Sequence, residues 1–221
     1  MIETIRYHEA SVVMMKTNIV DENNFIVNCS KKENVGLRNN KDYITSLLNY
    51  EGSASVWDKL FKKEIFANKR FKNVLNEDFL LLIEIFVENN YDIYESDILG
   101  YNYRINEGST TRSGFNKAII DSVHNAKNAE KLILSKYPDL LNECKRFTLF
   151  QLRTFLALIP VDQMVLDNEP YKVAHDLLKE NESYILKANI DFMSKMFLLL
   201  FVINPKFAKF ICNALMRIFN K

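Results

Sequence analysis

Glu77-Asp78 is the residue pair with the most direct route to chemistry, following Asn76 and opening a long apolar run. Carboxylates in the first turn of a helix are held as anions by the exposed backbone N–H groups there, by roughly 0.3–1 kcal/mol each. An ionised carboxylate is what a general base must be before it takes a proton from a hydroxyl. The same acids can instead serve only the helix dipole, a common use of that position. Tyr103-Arg104 and Arg112 form a second set, flanking the turn Gly108-Ser-Thr-Thr111. Guanidinium is a planar fork of donors that fits diphosphate oxygens and stays charged in any surroundings. Two of them could stabilise a departing diphosphate; otherwise Arg104 ends a strand as a solvated or paired surface charge.

Trp57 and Lys59 are a third set. Trp57 is the only tryptophan and lies among Val56, Leu60 and Phe61, either as a core anchor or as a stacking platform for a sugar ring. Lys59 has two open roles, pairing with Glu77 or Asp78 and binding a phosphate. His8, His124 and His175 have no partners at metal-ligand spacing and read as structural. Cys29, Cys144 and Cys212 are odd in number and far apart. They suggest neither a metal site nor a disulfide framework, which suits a reducing cytoplasm.

The elements that must position these groups follow from periodicity. Residues 11–20 and 25–27 read as strands around the turn at 21–24, whose Asp and Asn residues bond their own backbone. Residues 28–39 are polar and aperiodic, and read as a loop. Tyr43, Ile44, Leu47 and Leu48 recur at helical spacing, so residues 42–48 read as a short amphipathic helix. Residues 53–60 should be extended and 62–67 a helical turn. Asn76 should cap a helix closed by Asn89-Asn90. Residues 91–94 and 98–105 read as two aromatic, β-prone strands separated by Glu95-Ser-Asp97. From Ser113 the texture turns wholly helical, with restarts at Pro138, Asn168-Glu-Pro170 and Asn204-Pro205. The expected organisation is an α/β part over residues 1–112 and an all-helical C-terminal extension over 113–221.

Composition narrows the partners. A chain of 221 residues can bury a real core. Lys plus Arg number 29 against 28 Asp plus Glu, so charge gives no reason to expect nucleic acid. The N-terminus has acids early and no long apolar stretch, unlike a secretory signal. The longest apolar run, residues 196–203, is far short of the about 20 residues that cross a bilayer.

Three segments in order carry a resemblance: Trp57-Asp-Lys-Leu-Phe-Lys62, then Phe71 leading to Glu77-Asp78, then Tyr101-Asn-Tyr-Arg104 with Gly108-Ser-Thr-Thr111. Together they resemble the second half of bacterial family 2 glycosyltransferases that build surface polysaccharides such as capsule. That resemblance implies a partial GT-A-like (Rossmann-like) sheet. It also implies inverting transfer of a sugar from a nucleotide-sugar donor to a polysaccharide or lipid-linked acceptor. Asp78 would be the general base and Glu77 its neighbour, with Trp57, Lys59, Tyr103, Arg104 and Arg112 binding substrate. The family holds Mn or Mg through an Asp-x-Asp motif, and no Asp-x-Asp occurs in this chain. The expectation is therefore a truncated, acceptor-side chain, inactive alone, whose open strand edges favour self-association or pairing with a donor-half chain. The rival expectation is a non-catalytic remnant or subunit acting by protein–protein contact.

The tail adds a further partner. Met193, Met196, Phe197, Leu200 and Phe201, then Phe207, Phe210, Ile211, Leu215 and Phe219, form apolar stripes near Lys206, Lys209 and Arg217. Such helices can pack on the domain's own core or on a second subunit, or lie in a membrane interface. The expected location is the cytoplasm, either free or peripheral on the inner face of the membrane.

Overall fold

The computed structural model describes residues 1–29, 35–104 and 115–219, with the backbone alone described at 117 and 215–219. The protein is mixed α/β and divides into two compact units, Met1–Ser113 and Gly114–Lys221.

In the first unit a six-residue helix α1 (Ile2–Tyr7) leads into β1 (Val12–Val20), the strand on which the sheet is built. Val12, Val13 and Met14 are fully buried, so both faces of β1 are covered at its start. That explains a continuous apolar run rather than alternation. The turn after β1 is tied by Asp21, whose Oδ1 accepts from the N–H groups of Asn23 (2.9 Å) and Phe25 (2.8 Å). It delivers the chain to β2 (Ile26–Cys29), antiparallel to the far end of β1. Next come β3 (Gly36–Arg38), α2 (Asn40–Leu48) and β4 (Lys59–Phe61); β4 runs antiparallel to the start of β1. Helix α3 (Glu77–Glu88) is followed by β5 (Ile93–Arg104), which pairs in parallel along β1 and takes β3 on its outer side. The order across the sheet is β2-β1-β5-β3, with β4 also on β1.

The helices cover the sheet through apolar stripes. Helix α2 buries Tyr43, Ile44, Leu47 and Leu48, and Tyr43 meets Phe86 of α3 edge to face at 4.8 Å. Asn39 caps α2 by accepting from the Asp42 N–H. Buried Asn40 bonds the carbonyls of Phe86 and Asn89 and so joins the start of α2 to the end of α3.

Three local expectations change. Residues 36–38 form β3 instead of loop, because their partner is the distant β5, and an Arg38–Glu95 ion pair at 3.3 Å accompanies the pairing. The two strands expected at 91–94 and 98–105 are one strand, β5, which runs unbroken through Glu95-Ser-Asp97. Between Met14↔Glu95 and Lys16↔Leu99 the register slips, and Ser96 turns its Oγ inward to donate to the Met14 carbonyl at 2.8 Å. A polar break in the sequence is thus a bulge in the sheet. Asn76 does not cap α3 with its side chain; it takes a left-handed conformation at φ 60°.

The second unit is helical: α4 (Ile120–Lys136), α5 (Leu141–Leu158), α6 (Glu169–Glu180), α7 (Glu182–Ile185), α8 (Phe192–Ile203) and α9 (Pro205–Phe219), with short 3-10 turns between. Its core draws Val123, Leu152, Phe155, Leu178, Leu198 and Phe201 from four of these helices. Asn168 and Asp191 cap α6 and α8, accepting from the N–H groups of Tyr171 and Ser194. Lys209 is buried, with its ammonium on the Leu156 and Ala157 carbonyls at the C-terminal end of α5. A cation there meets the negative end of the helix dipole, while burial lowers the Lys209 pKa. Cys144 is also buried, and its thiol is pushed up to about 12, chiefly by desolvation and then by Glu130 and Glu143. It is therefore no nucleophile.

Candidate functional site

Site geometry is set by the segment between α2 and β4. Its first anchor is Tyr43, whose hydroxyl donates to the Ser53 carbonyl at 2.9 Å from inside the core. Burial, followed by the charges of Asp58 and Glu95, raises the Tyr43 pKa well above its usual value. The second anchor is Lys59, whose side chain has 0% exposure. Its ammonium pairs with Asp58 at 2.7 Å and donates to the carbonyls of Ser53 (2.9 Å) and Ser55. It also lies 5.9 Å from the centre of the Tyr43 ring. Such a buried pair is tolerable because its donors find acceptors.

The held segment is not extended throughout, as its sequence suggested. A turn closed by the Lys59 N–H on the Val56 carbonyl (3.2 Å) comes first, and the strand begins only at Lys59. The turn puts Trp57 at its tip, half-buried. The indole lies against Tyr101 at 4.5 Å between ring centres and against Tyr103 at 5.4 Å, with interplanar angles of 30° and 22°. Tyr101 and Tyr103 are two apart on β5, hence on one face of the strand. The slipped register at Lys16/Thr17 lies just before them, and bulges re-aim side chains in this way.

The same turn presents the Val56 N–H, which donates to Asp78 Oδ2 at 3.1 Å. Asp78 is half-buried in the first turn of α3. Desolvation raises its pKa, the Val56 bond opposes that rise, and neighbouring Glu77 adds to it. The result is a carboxylate more basic than an ordinary Asp, fixed on the N–H of the residue that precedes Trp57.

The structure brings Trp57, Tyr103 and Asp78 together around this turn. Glu77 stands beside Asp78, half-buried. Lys59 lies beneath the turn with its donors engaged by Asp58 and backbone carbonyls. Arg104 is exposed at the end of β5 and bonds the Asn24 side chain in the β1–β2 turn. Arg112, with the Gly108-Ser-Thr-Thr111 turn, lies outside the described residues. Sequence reasoning passed over Tyr43, Asp58 and the Val56 N–H, all of which hold the site. It also left Tyr101 unassigned, although the i, i+2 spacing to Tyr103 was a signal for a shared face.

Among the described residues, no three or more His, Cys, Asp or Glu side chains converge to hold a metal ion. The acids nearest the site are Glu77, Asp78 and Asp58, and Asp58 is spent on Lys59. These acids, among the described residues, do not fit a divalent cation. His8 stacks on Tyr94 at 3.9 Å beside a separate open cleft of about 340 Å³. No protein-family model and no curated protein sequence matches the chain.

Proposed function

We propose that the first unit is the acceptor-side part of an inverting, family 2-type glycosyltransferase with a GT-A-like sheet. Its reaction moves a sugar from a nucleotide-sugar donor to a polysaccharide or lipid-linked acceptor in bacterial surface-glycan synthesis. One observation carries the reading: Asp78 is fixed on the N–H of Val56, the residue next to Trp57, whose indole packs with Tyr101 and Tyr103. Flat apolar faces beside a fixed carboxylate are what a sugar hydroxyl needs, one to hold the ring and the other to take the proton.

Asp78 accepts the proton of the acceptor hydroxyl, whose oxygen forms the new bond to the anomeric carbon. The bond from that carbon to the diphosphate breaks, and its electron pair leaves with the nucleoside diphosphate. Glu77, next to Asp78 in the first turn of α3, borders the acceptor side of this step.

Because Trp57 is the only tryptophan, its fluorescence reports the site directly. Neutral oligosaccharides of the acceptor class should change that emission on binding. Tyr101→Ala should weaken their binding by about tenfold, or roughly 1.5 kcal/mol, with the fold intact by circular dichroism. Unchanged affinity in Tyr101→Ala would remove the ring group from the acceptor site.

A second reading, a subunit that acts through protein contact, is favoured by β2. All of its residues are exposed, and Phe25, Ile26 and Val27 offer an apolar open edge. Sizing of the purified chain separates the two readings. A self-associating chain that becomes monomeric with Ile26→Lys supports contact through that edge; a monomer at all concentrations argues against self-association there.

A further inference from the structure

Residues 192–221 carry Lys195, Lys206, Lys209, Arg217 and Lys221, and all 28 acidic residues of the chain lie upstream. Within this stretch, α8 turns Leu198 and Phe201 into the core of the second unit. Its other side leaves Phe192, Met193, Met196 and Ile203 exposed. Helix α9 turns Ala208 and Lys209 inward and Phe207 and Phe210 outward. At the corner between the helices Ile203 is 80%, Phe207 51% and Phe210 69% exposed. Lys206 is exposed among them.

The corner is preformed. Asn204 accepts from the Phe207 N–H at 3.1 Å and caps α9. Lys209, one turn on, anchors α9 to the end of α5. These contacts hold the corner apolar residues outward without any need to unfold the unit. Among the described residues, no helix is long and apolar enough to cross a membrane.

We infer that the α8–α9 corner docks on an anionic lipid surface. Ile203, Phe207 and Phe210 enter the boundary between headgroups and acyl chains, and Lys206 meets the lipid phosphates. The charge selects this occupant. A two-fold contact with a second copy would bring the Lys206 side chains and the acid-free segments toward each other, like against like. A lipid surface supplies the missing anions and takes up exposed phenylalanine as well. The inference rests on the second unit alone and stands apart from the sugar-transfer reading.

The test is flotation of the full chain with vesicles of phosphatidylcholine, with and without phosphatidylglycerol. The protein should float with the anionic vesicles, and less so as salt is added. Phe207→Ser with Phe210→Ser should lower partitioning by about tenfold or more, with elution volume and melting temperature unchanged because both rings are exposed. Lys206→Glu should lower binding to anionic vesicles by about tenfold and leave binding to pure phosphatidylcholine as it was. A chain that stays in solution with the anionic vesicles overturns the inference, as does a double serine variant that floats like the parent. If the parent instead doubles in mass with concentration, without floating, and the serine variant does not, the face belongs to a second copy.

Discussion

Lys59→Met is expected to destabilise the first unit by about 3–5 kcal/mol, the usual cost of breaking a buried ion pair by removing one partner. Asp58 would remain buried beside an apolar side chain, and the Ser55 carbonyl would lose a charged donor. The Ser53 carbonyl keeps the Tyr43 hydroxyl, so the site should loosen more than collapse. Denaturant unfolding followed by Trp57 emission reads the first unit alone, since the second has no tryptophan. Asp58→Asn combined with Lys59→Met should recover part of the loss, because the orphaned charge is gone. A single-variant loss below about 1 kcal/mol would mean that Lys59 behaves as an ordinary surface cation and is available to a phosphate after all.

Asp78→Asn separates chemistry from fold. The amide oxygen still accepts from the Val56 N–H, so the turn and Trp57 should stay in place. Without a base, turnover should fall by about 10²–10⁴-fold, while oligosaccharide binding read by Trp57 should hold. The assay is transfer from a nucleotide-sugar donor, with a donor-binding chain supplied where turnover requires it.

Stability should move in the other direction. Asp78 has a raised pKa in the folded protein, so its contribution is fully present below the ordinary Asp value of about 3.9. That contribution is lost as pH rises through the folded value. At neutral pH the ionised carboxylate therefore costs stability, and Asp78→Asn should melt at the same temperature as the parent or higher. The gain should shrink as pH falls toward 4. A variant that melts lower at neutral pH would make Asp78 a structural acid, and unchanged turnover would strip it of the base's role.

Local pattern made much of this molecule readable. Tyr43, Ile44, Leu47 and Leu48 foretold α2, and the restarts at Pro138, Asn168 and Asn204 matched helices in the second unit. Glu77-Asp78 fell in the first turn of α3 as expected. What local pattern missed depends on pairing across distance. Gly36-Leu37-Arg38 has no strand period, yet β5 recruits it. Glu95-Ser-Asp97 reads as a break, yet Ser96 finds an acceptor in β1, far away in sequence. The site failed for the same reason: Trp57 meets Tyr101 and Tyr103 only because two elements are folded together, and the Val56 N–H has no side chain to advertise it. In the tail, Lys209 looked like a surface cation beside an apolar stripe, and only the end of α5 explains why it is buried.

The parallel pairing of β1 with β5 also sets the tempo of folding. Val12 meets Ile93 and Val20 meets Arg104, so the central ladder cannot form until the chain between has closed into one large loop. Closure entropy is lost before any ladder bond compensates it, which slows folds of high contact order. The second unit waits less, since its most extensive packing, α4 on α5 and α8 on α9, joins neighbours in the chain. During refolding, the helical half should therefore be largely assembled while β2 and its apolar edge still lack a finished sheet. Concentration matters most in that interval, when an intermolecular strand can reach β1 before β5 does.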